Sequence, residues 1–334
     1  MNRSIRSTVF KLFTAALLMS GAVAASVSAP VSAMDIKAVG DQLILSGAVT
    51  GDDRLELLDA LRAHPGVTTV VLRNSHGGDA KSGYRVGELI RDRGLRTIVS
   101  GYCWSACTRM FLGGKTRYFS SDYPPEYTHL SFHGNYSNGF INLEAVNRLN
   151  LQDWIIKHSD GKADPDLVSR WIHIPLPAGA AHFFHPSIAA WRGRSTFLCK
   201  GSEKTQNRMF GCEPIAQTAL EMGIVTSLDL AASNDQAELR KTVPALPPVR
   251  VGVAASDMAQ FPLKSDAALR EYERFLAAAA PKVFAKQMDG GQYAWNAAKT
   301  IDGALATALG RCEERAKGKP CAVYALDENL LASP

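Results

Sequence analysis

The 334-residue sequence lacks several features that would point to other classes of protein. Beyond the apolar stretch at 12–25, no run is apolar enough to cross a membrane. No H-E-x-x-H motif occurs, and no second cysteine–histidine pair accompanies a C-x₃-C pair, so no metal site is expected. No basic stripe carries interleaved aromatic residues, and the net charge is only +5, so nucleic acid is not expected as a partner.

The N-terminus is typical of a secretory signal peptide. Three basic residues precede the apolar stretch at 12–25, and small residues follow it. An uncleaved membrane anchor is the alternative, but the apolar run is short and is broken by Ser20 and Gly21. We therefore predict that residues 1–33 are a cleaved signal peptide and that the mature protein, with its net charge reduced from +5 to +2, is periplasmic or secreted. The small-x-small triplets that mark cleavage sites end at Ala24, Ala29 and Ala33.

Six cysteines in an exported chain indicate disulfide bonds. Cys103 and Cys107 are interpreted as two packed small side chains or as a short-range bridge, in preference to half of a metal site. A nucleophilic cysteine is a lesser alternative, since it would be prone to oxidation in an exported protein. Two other pairs bracket short polar stretches, and local bridges are predicted for Cys199 with Cys212 and for Cys312 with Cys321.

Strand and helix patterns alternate through the first two thirds of the chain. Runs rich in apolar and β-branched residues at 42–49 and 67–75 predict strands, with helical patterns after each of them. This alternation predicts an α/β fold with parallel strands and crossover helices over residues 34–232. The later part of this domain is predicted as one long helix at 142–159, an irregular excursion at 175–212, and a helix followed by a strand at 213–228.

A polar and then proline-rich segment at 233–250 predicts an extended linker. Residues 251–334 predict a second, small α+β module. Its expected elements are a helix at 265–280, a strand near 282–288 and an alanine-rich helix at 295–315.

Three chemically suggestive pieces follow one another along the α/β pattern. The first is "NSHGGD", where two glycines after a strand can turn backbone N–H groups toward a reacting carbonyl oxygen. The second is Ser105, between a predicted strand and a predicted helix. The third is His133, at the end of the strand "HLSFH", where an imidazole could exchange a proton with a serine. Each piece is common by itself, but the ordered set is typical of a serine hydrolase.

The stretch "LRNSHGGDAKSGYRVGELIRDRGLRTIVSGYCWSACTRMFLGGKTRYF", followed by "HLSFHG", resembles the Clp protease proteolytic subunit of the ClpP/crotonase superfamily. The resemblance is strongest to exported, ClpP-like bacterial relatives and covers residues 40–135. It implies a ClpP/crotonase-like fold of stacked strand–helix turns and a serine peptidase site. By the same resemblance, Ser105 is the nucleophile, His133 the general base, and Gly78 and Ala106 the oxyanion-hole donors.

The sequence departs from the family pattern at two points. The family usually has proline where this chain has His76, which is interpreted as a loop residue in preference to a second catalytic histidine. The family aspartate expected shortly before "IAQTALEMGIVT" is missing, so the third catalytic member is unknown. Another acid, a backbone carbonyl, or no group at all could orient His133. The acids nearest in sequence are Asp160, Asp164, Asp166 and Glu213.

Three further residues have less specific interpretations. His182 and His185 are spaced i, i+3, but no carboxylate-bearing metal motif accompanies them. Lys115 follows Ser105 by ten residues, and its surroundings favour a turn that enters a strand over a serine–lysine dyad.

The leading hypothesis is an exported, ATP-independent serine peptidase that requires no cofactor. Its expected partners are peptides or unfolded protein segments, and self-association into a homo-oligomer stays open. An ATP-driven unfoldase is not expected, because an exported protein has no ATP supply. The alternative is a catalytically inactive ClpP-like binding or scaffold protein, which the missing aspartate favours. A crotonase-type acyl-CoA enzyme fits less well, because an exported protein would meet little CoA.

Overall fold

The computed structural model describes residues 34–189, 193–203, 211–242, 249–279, 281–298, 301–327 and 329–331. The predicted signal peptide, residues 1–33, lies outside them. Among the described residues, no helix combines the length and apolar character needed to span a membrane.

The first part of the described chain alternates strands and helices, as the sequence pattern predicts. Its elements are β1 (Asp35–Val39), β2 (Gln42–Val49), α1 (Asp53–Ala63), β3 (Thr69–Gly78), α2 (Ala80–Asp92), β4 (Arg96–Trp104) and α3 (Ala106–Leu112). Strand β1 was not predicted, because its residues are exposed or half-buried and carry no clear apolar pattern. Helix α2 begins where the Asp79 side chain accepts a hydrogen bond from the Ser82 N–H at 2.6 Å.

The next part of the chain adds strands to the same sheet on both sides of a helical segment. Its elements are β5 (Arg117–Phe119), β6 (His129–Phe132), β7 (Tyr136–Ser137), β8 (Phe140–Ile141), α4 (Leu143–Arg148), α5 (Leu151–His158), α6 (Pro165–Ile172), β9 (Ala180–Phe184), β10 (Thr196–Cys199), β11 (Glu213–Ile215) and α7 (Gln236–Thr242). The pair β7–β8 forms a separate two-stranded hairpin.

In the described part of the chain, one mixed sheet has the order β1-β2-β3-β4-β6-β9-β10-β11, and β5 also pairs with β4. Strands β2, β3, β4 and β6 are parallel, with Leu45 opposite Leu72 and Leu72 opposite Val99. The outer pairs are antiparallel. Because parallel strands end at the same edge, the carboxyl ends of β3, β4 and β6 lie together there.

Helix α3 is held against α2 by a close approach of the two backbones. A Cβ on Gly83 of α2 would lie 2.5 Å from the Ala106 carbonyl oxygen, and Gly87 meets the Arg109 carbonyl in the same way. Larger side chains would push the helices apart, so these glycines allow α3 to lie this close to α2. The Ala106, Met110 and Phe111 side chains are fully buried in the main core.

Two predictions for the middle of the chain were wrong. The long helix at 142–159 is divided into α4 and α5, because Asn150 adopts a left-handed conformation with φ 46°. The segment at 175–212 is not wholly irregular, since it contains β9 and β10. Strand β9 is buried at every position and pairs on both sides, so it shows no alternating pattern in the sequence.

The helix and strand predicted at 213–228 do not form. The segment begins with β11 and continues as turns, in which the Ile224 and Val225 N–H groups both donate to the Ala219 carbonyl. Gly223 has a positive φ of 62°, and its missing side chain allows a close approach to the Ser159 carbonyl. Packing against α5 therefore favours a turn over helical propensity.

The six cysteines form three pairs at disulfide distance. Two of them, Cys199–Cys212 and Cys312–Cys321, are the pairs predicted from their spacing. Of the two interpretations given for Cys103 and Cys107, the structure has the short-range bridge. Both Cys103 and Cys107 are fully buried. The pairs are compatible with an oxidising, extracellular location. The Cα–Cα separations are 5.4 Å for Cys103–Cys107, 4.5 Å for Cys199–Cys212 and 6.1 Å for Cys312–Cys321.

The segment predicted as an extended linker is partly folded. Helix α7 lies within it, and the residues just before α7 join a buried polar cluster. There the Arg73 guanidinium donates to Asp235 at 2.8 and 2.9 Å, to Ser233 at 2.7 Å and to Asp122 at 3.3 Å. Burial alone would raise the pKa of Asp235, but hydrogen bonds from Arg73 and Ser233 outweigh this and lower it. Residues 243–248 of the predicted linker lie outside the described residues.

The C-terminal residues form a second sheet with two helices. Its described strands are all antiparallel, in the order β12-β16-β15-β13-β14. The first residues of the predicted alanine-rich helix, 295–297, belong to β14 instead, because β13 offers them a strand partner. Tyr127 from the first sheet's loop donates to the Leu326 carbonyl at 2.9 Å and shares a core cluster with this sheet. The elements are β12 (Val249–Ala254), α8 (Asp266–Ala277), β13 (Lys282–Gln287), β14 (Tyr293–Ala297), α9 (Ile301–Arg315), β15 (Cys321–Leu326) and β16 (Asn329–Leu331).

Candidate active site

Ser105 occupies the turn between β4 and α3. Its backbone has φ 54° and ψ −122°, which is rarely adopted by residues other than glycine. The Ser105 N–H donates to the Ser131 carbonyl at 3.0 Å, and its own carbonyl accepts from the Thr108 N–H at 2.9 Å and hydroxyl at 2.6 Å. A serine held on a strained strand-to-helix turn is the arrangement that displays a nucleophile at a sheet edge.

His133 directly follows β6, the parallel neighbour of β4. Trp104 lies opposite Ser131 in the ladder, so Ser105 and His133 both leave the sheet at the same edge. The two residues that the sequence predicts as nucleophile and base thus follow neighbouring parallel strands at one edge of the sheet. Within the described residues, no direct hydrogen bond joins the Ser105 hydroxyl to the His133 ring. Such bonds are often long without substrate and shorten in the reacting complex.

The His133 ring is oriented by a backbone carbonyl. Its Nδ1 lies 2.8 Å from the Gly134 carbonyl oxygen. Because a carbonyl can only accept, Nδ1 carries the proton and Nε2 of the neutral ring is the nitrogen left to accept one. Gly134 packs closely against the end of α6, since a Cβ there would collide with the Ile172 carbonyl oxygen.

His133 is neutral over the ordinary pH range. Burial lowers its pKa to about 4, the nearby Arg109 charge acts in the same direction, and the hydrogen bond to Gly134 opposes both. The Tyr136 ring lies 4.9 Å from the His133 ring, and burial raises the pKa of its hydroxyl to about 12. A neutral imidazole with an unprotonated Nε2 is the form that a general base requires.

The acids considered as orienting groups have other partners. Asp160 pairs with Arg117 at 3.1 Å, and Glu213 pairs with Arg170. Asp164 caps α6 by accepting from the Asp166 and Leu167 N–H groups, and Asp166 is exposed in the first turn of that helix. Among the described residues, no carboxylate is hydrogen-bonded to His133. The sequence leaves open an acid, a backbone carbonyl or no group at all as the partner that orients His133. The geometry fits the backbone carbonyl.

Of the two glycines of "NSHGGD", Gly77 packs against the Ser105 turn and Gly78 packs against Val49 of β2. A Cβ on Gly77 would lie 2.5 Å from the Trp104 carbonyl oxygen and 2.8 Å from the Ala106 nitrogen. The Gly77 N–H donates to the Ser75 hydroxyl at 3.2 Å.

Gly78 is the last residue of β3 and has a positive φ of 149°. The Asp79 N–H donates back to the Val49 carbonyl of β2 at 2.8 Å. Ala106 is the first residue of α3, where helix geometry gives its N–H no partner within the helix. Donation by Gly78 and Ala106 to a reacting oxygen stays a prediction.

Arg109 was not singled out from the sequence. It lies one helical turn after Ser105, is buried, and donates from Nη2 to the His133 carbonyl at 3.0 Å and to the Asn135 side-chain oxygen at 3.1 Å. The only sequence signal is an arginine inside an otherwise apolar stretch, "ACTRMFL", which would be expected to be a core helix.

The remaining residues singled out from the sequence lie in other environments. The prediction that His76 is a loop residue was wrong, because it lies in β3, whose pairing extends to Gly78. It is exposed, and its Nε2 lies 3.0 Å from the Tyr102 hydroxyl. His182 contacts the Ser131 hydroxyl, His185 contacts the Leu228 carbonyl, and Lys115 is exposed. Among the described residues, no group of three or more histidine, cysteine or acidic side chains is placed to hold a metal ion.

Comparison with known proteins gives a limited result. No protein-family model matches the chain, and no curated protein matches it. Among solved structures, ClpP1 from Listeria monocytogenes is similar over 59% of this chain and 94% of its own, with a TM-score of 0.37 and 13% identity. A mutant of the same protein gives a TM-score of 0.36 and 12% identity over the same shares. Similarity at this level carries no functional inference, so the chemistry follows from this chain's own side chains.

Proposed function

We propose that this protein is an exported serine hydrolase that cleaves peptide bonds without ATP. The observation that carries the proposal is the pairing at one sheet edge of a serine on a strained strand-to-helix turn with a neutral histidine whose Nδ1 is committed to a carbonyl. Ser105 and His133 come from neighbouring parallel strands, so the rigid sheet sets their relative position.

The reaction follows from these positions. His133 Nε2 accepts the proton of the Ser105 hydroxyl as the oxygen attacks the peptide carbonyl carbon. The Gly78 and Ala106 N–H groups donate to the resulting oxyanion. The imidazolium then protonates the leaving amine, and a water molecule, activated in the same way, hydrolyses the acyl-enzyme. No cofactor takes part in these steps.

The substrate class follows from the expected compartment. The predicted signal peptide and the three cysteine pairs both favour export to an oxidising environment. No ATP-driven unfoldase can act there, so the substrates are short peptides or segments that are already unfolded.

A fluorophosphonate probe tests the nucleophile directly. The protein, purified with its cysteines oxidised, should be labelled covalently, and Ser105→Ala should lose the label. Ser256→Ala is the matched control, because Ser256 is exposed in the second module. Cleavage of a peptide library by the wild type, absent in Ser105→Ala, would establish peptidase activity. A folded wild type that neither labels nor cleaves would overturn the proposal and leave the binding or scaffold alternative.

A further inference from the structure

Arg109 carries a buried charge that the reaction described above does not use. The side chain is 2% exposed, and among the described residues it has no carboxylate partner. Its Nε and Nη1 atoms are buried without a hydrogen-bond acceptor in that part of the chain, and its guanidinium lies 5.5 Å from the centre of the Tyr84 ring. Burying a cation without a counter-charge is costly, so a hydrophobic residue would stabilise this helix better.

The Nη2 atom links the two halves of the candidate site. Arg109 belongs to α3, which begins directly after Ser105, and it donates to the carbonyl of His133 and to the side chain of Asn135. Those acceptors flank Gly134, whose carbonyl holds His133 Nδ1. One side chain therefore ties the helix that follows the nucleophile to the three-residue segment that orients the base.

The guanidinium also acts on His133 through its charge. Burial is the main reason for the low pKa of His133, and the Arg109 charge lowers it further. Tyr136 from β7 is the titratable group in ring contact with His133, and its hydroxyl stays neutral because its pKa is raised to about 12. From α6, the contact with this segment is the Ile172 carbonyl, which carries no net charge.

We propose that Arg109 is a positioning residue for the Ser105–His133 pair, holding residues 133–135 so that Nδ1 stays bonded to Gly134 and Nε2 remains the accepting nitrogen. This inference rests on the proposed hydrolase function. Arg109 does not touch the reacting atoms. It acts through the backbone that carries the base and through a charge that adds to the effect of burial on the base.

The test compares Arg109→Met and Arg109→Lys with Arg170→Met. Arg170 is a half-exposed partner of Glu213 and serves as the control for removal of an arginine. Two readouts are needed: the rate of fluorophosphonate labelling across pH, and the titration of the His133 ring by NMR in the Ser105→Ala background. The NMR readout does not depend on catalysis.

The Met variant should label more slowly at neutral pH, by up to about 100-fold, which a displacement of about 1 Å can cost. Its His133 pKa should rise above the wild-type value of about 4, because removing a cation makes the imidazolium less unfavourable. The acid limb of the labelling profile should therefore move to higher pH. The Lys variant keeps the charge but not the planar fork of donors, so it should lose rate with the acid limb unmoved.

The outcomes separate the two proposals. If folded Arg109 variants label and titrate like the wild type and Arg170→Met, the positioning role is wrong. If Arg109→Met does not fold, Arg109→Lys decides, because a wild-type labelling rate in that variant overturns the proposal. If the wild type does not label at all, the hydrolase proposal fails, and an unchanged His133 titration in Arg109→Met would then overturn this inference as well.

Discussion

Two buried histidines of this protein share almost the same local surroundings. His133 is 8% exposed and His158 is 3% exposed, and burial lowers the pKa of each to about 4. Each has Nδ1 at 2.8 Å from a backbone carbonyl, and each accepts an arginine hydrogen bond at 3.0 Å on its own carbonyl. A perturbed pKa and a fixed tautomer therefore do not by themselves identify a catalytic histidine.

The two histidines differ in their position in the fold and in their further neighbours. His158 ends α5 and stacks on Trp154, with ring centres 3.8 Å apart. His133 leaves the sheet beside the strained turn at Ser105. The arginine at His158, Arg91, is partly exposed and lies 3.9 Å from the Asp160 carboxylate, whereas Arg109 is buried and has no carboxylate partner in the part of the chain that the structure describes. The comparison indicates that position beside a candidate nucleophile, and not burial, distinguishes a candidate base from a structural histidine.

The largest expected effect tests this distinction directly. Replacing His133 with Gln should slow fluorophosphonate labelling by about 10²- to 10⁴-fold, the range that general acid–base catalysis contributes. The same change at His158 should leave the labelling rate of the folded protein close to wild type. Measured labelling rates that fall equally in both variants would contradict the comparison.

The next effect concerns acid stability, which both histidines should share. Each has a pKa of about 4 when folded and about 6.5 when unfolded, so the unfolded chain binds more protons between these values. Each neutral histidine thus contributes stability that is complete above about pH 6.5 and is lost as the pH falls toward 4, on the order of 3 kcal/mol per group. Urea unfolding of His133→Gln and His158→Gln at pH 7 and 4.5 should show a smaller acid-induced loss than wild type. An unchanged loss in either variant would mean that its histidine does not titrate as described.

The two histidines also differ in that the Cys103–Cys107 bridge spans Ser105, next to His133, whereas His158 lies elsewhere in the fold. Replacing both cysteines with Ala should lower the free energy of unfolding by about 2 kcal/mol, since the closed loop is short. Labelling should also slow, because the bridge joins the end of β4 to α3 across the strained turn at Ser105. The matched control, Cys199→Ala with Cys212→Ala, should lose about 3 kcal/mol from its longer loop and label at the wild-type rate. Unaltered labelling in the first variant would show that the turn holds its shape without the bridge.

The smallest effect concerns Tyr136, the aromatic neighbour of His133. The Tyr136 hydroxyl donates to the Ile174 carbonyl at 2.6 Å, so Tyr136→Phe should lower the free energy of unfolding by about 1 kcal/mol. The His133 titration should stay unchanged, because the tyrosine hydroxyl is neutral throughout. A shift of that titration, measured by NMR, would show that Tyr136 acts on the base and does not only anchor its loop.

Much of the frame around the site was predictable from local pattern. The runs at 42–49 and 67–75 predict β2 and β3, and Ser105 was expected between a strand and a helix. The spacing of Cys199 and Cys212 predicts their pairing. These features depend on residues close together in the chain, where periodicity, turn chemistry and loop length act.

The same reasoning failed where distant contacts override local preference. Residues 213–223 read as a helix, but Gly223 and its neighbours turn against α5 instead. Residues 233–242 read as linker, yet Asp235 is bonded to Arg73 from the centre of the sheet. Neither partner is adjacent in sequence, so no local pattern could reveal the contact.

The sequence by itself determined the order of strand, Ser105 and helix, the histidine at the end of the next parallel strand, and the glycines that allow close approach. Only the tertiary structure decided that His133 Nδ1 is bonded to the Gly134 carbonyl, and that Arg109 reaches across from α3 to the His133 carbonyl. The reason is physical. Every residue has a backbone carbonyl, so its use as an acceptor leaves no signal in the sequence. The role of a buried arginine depends on the acceptors that folding places around it.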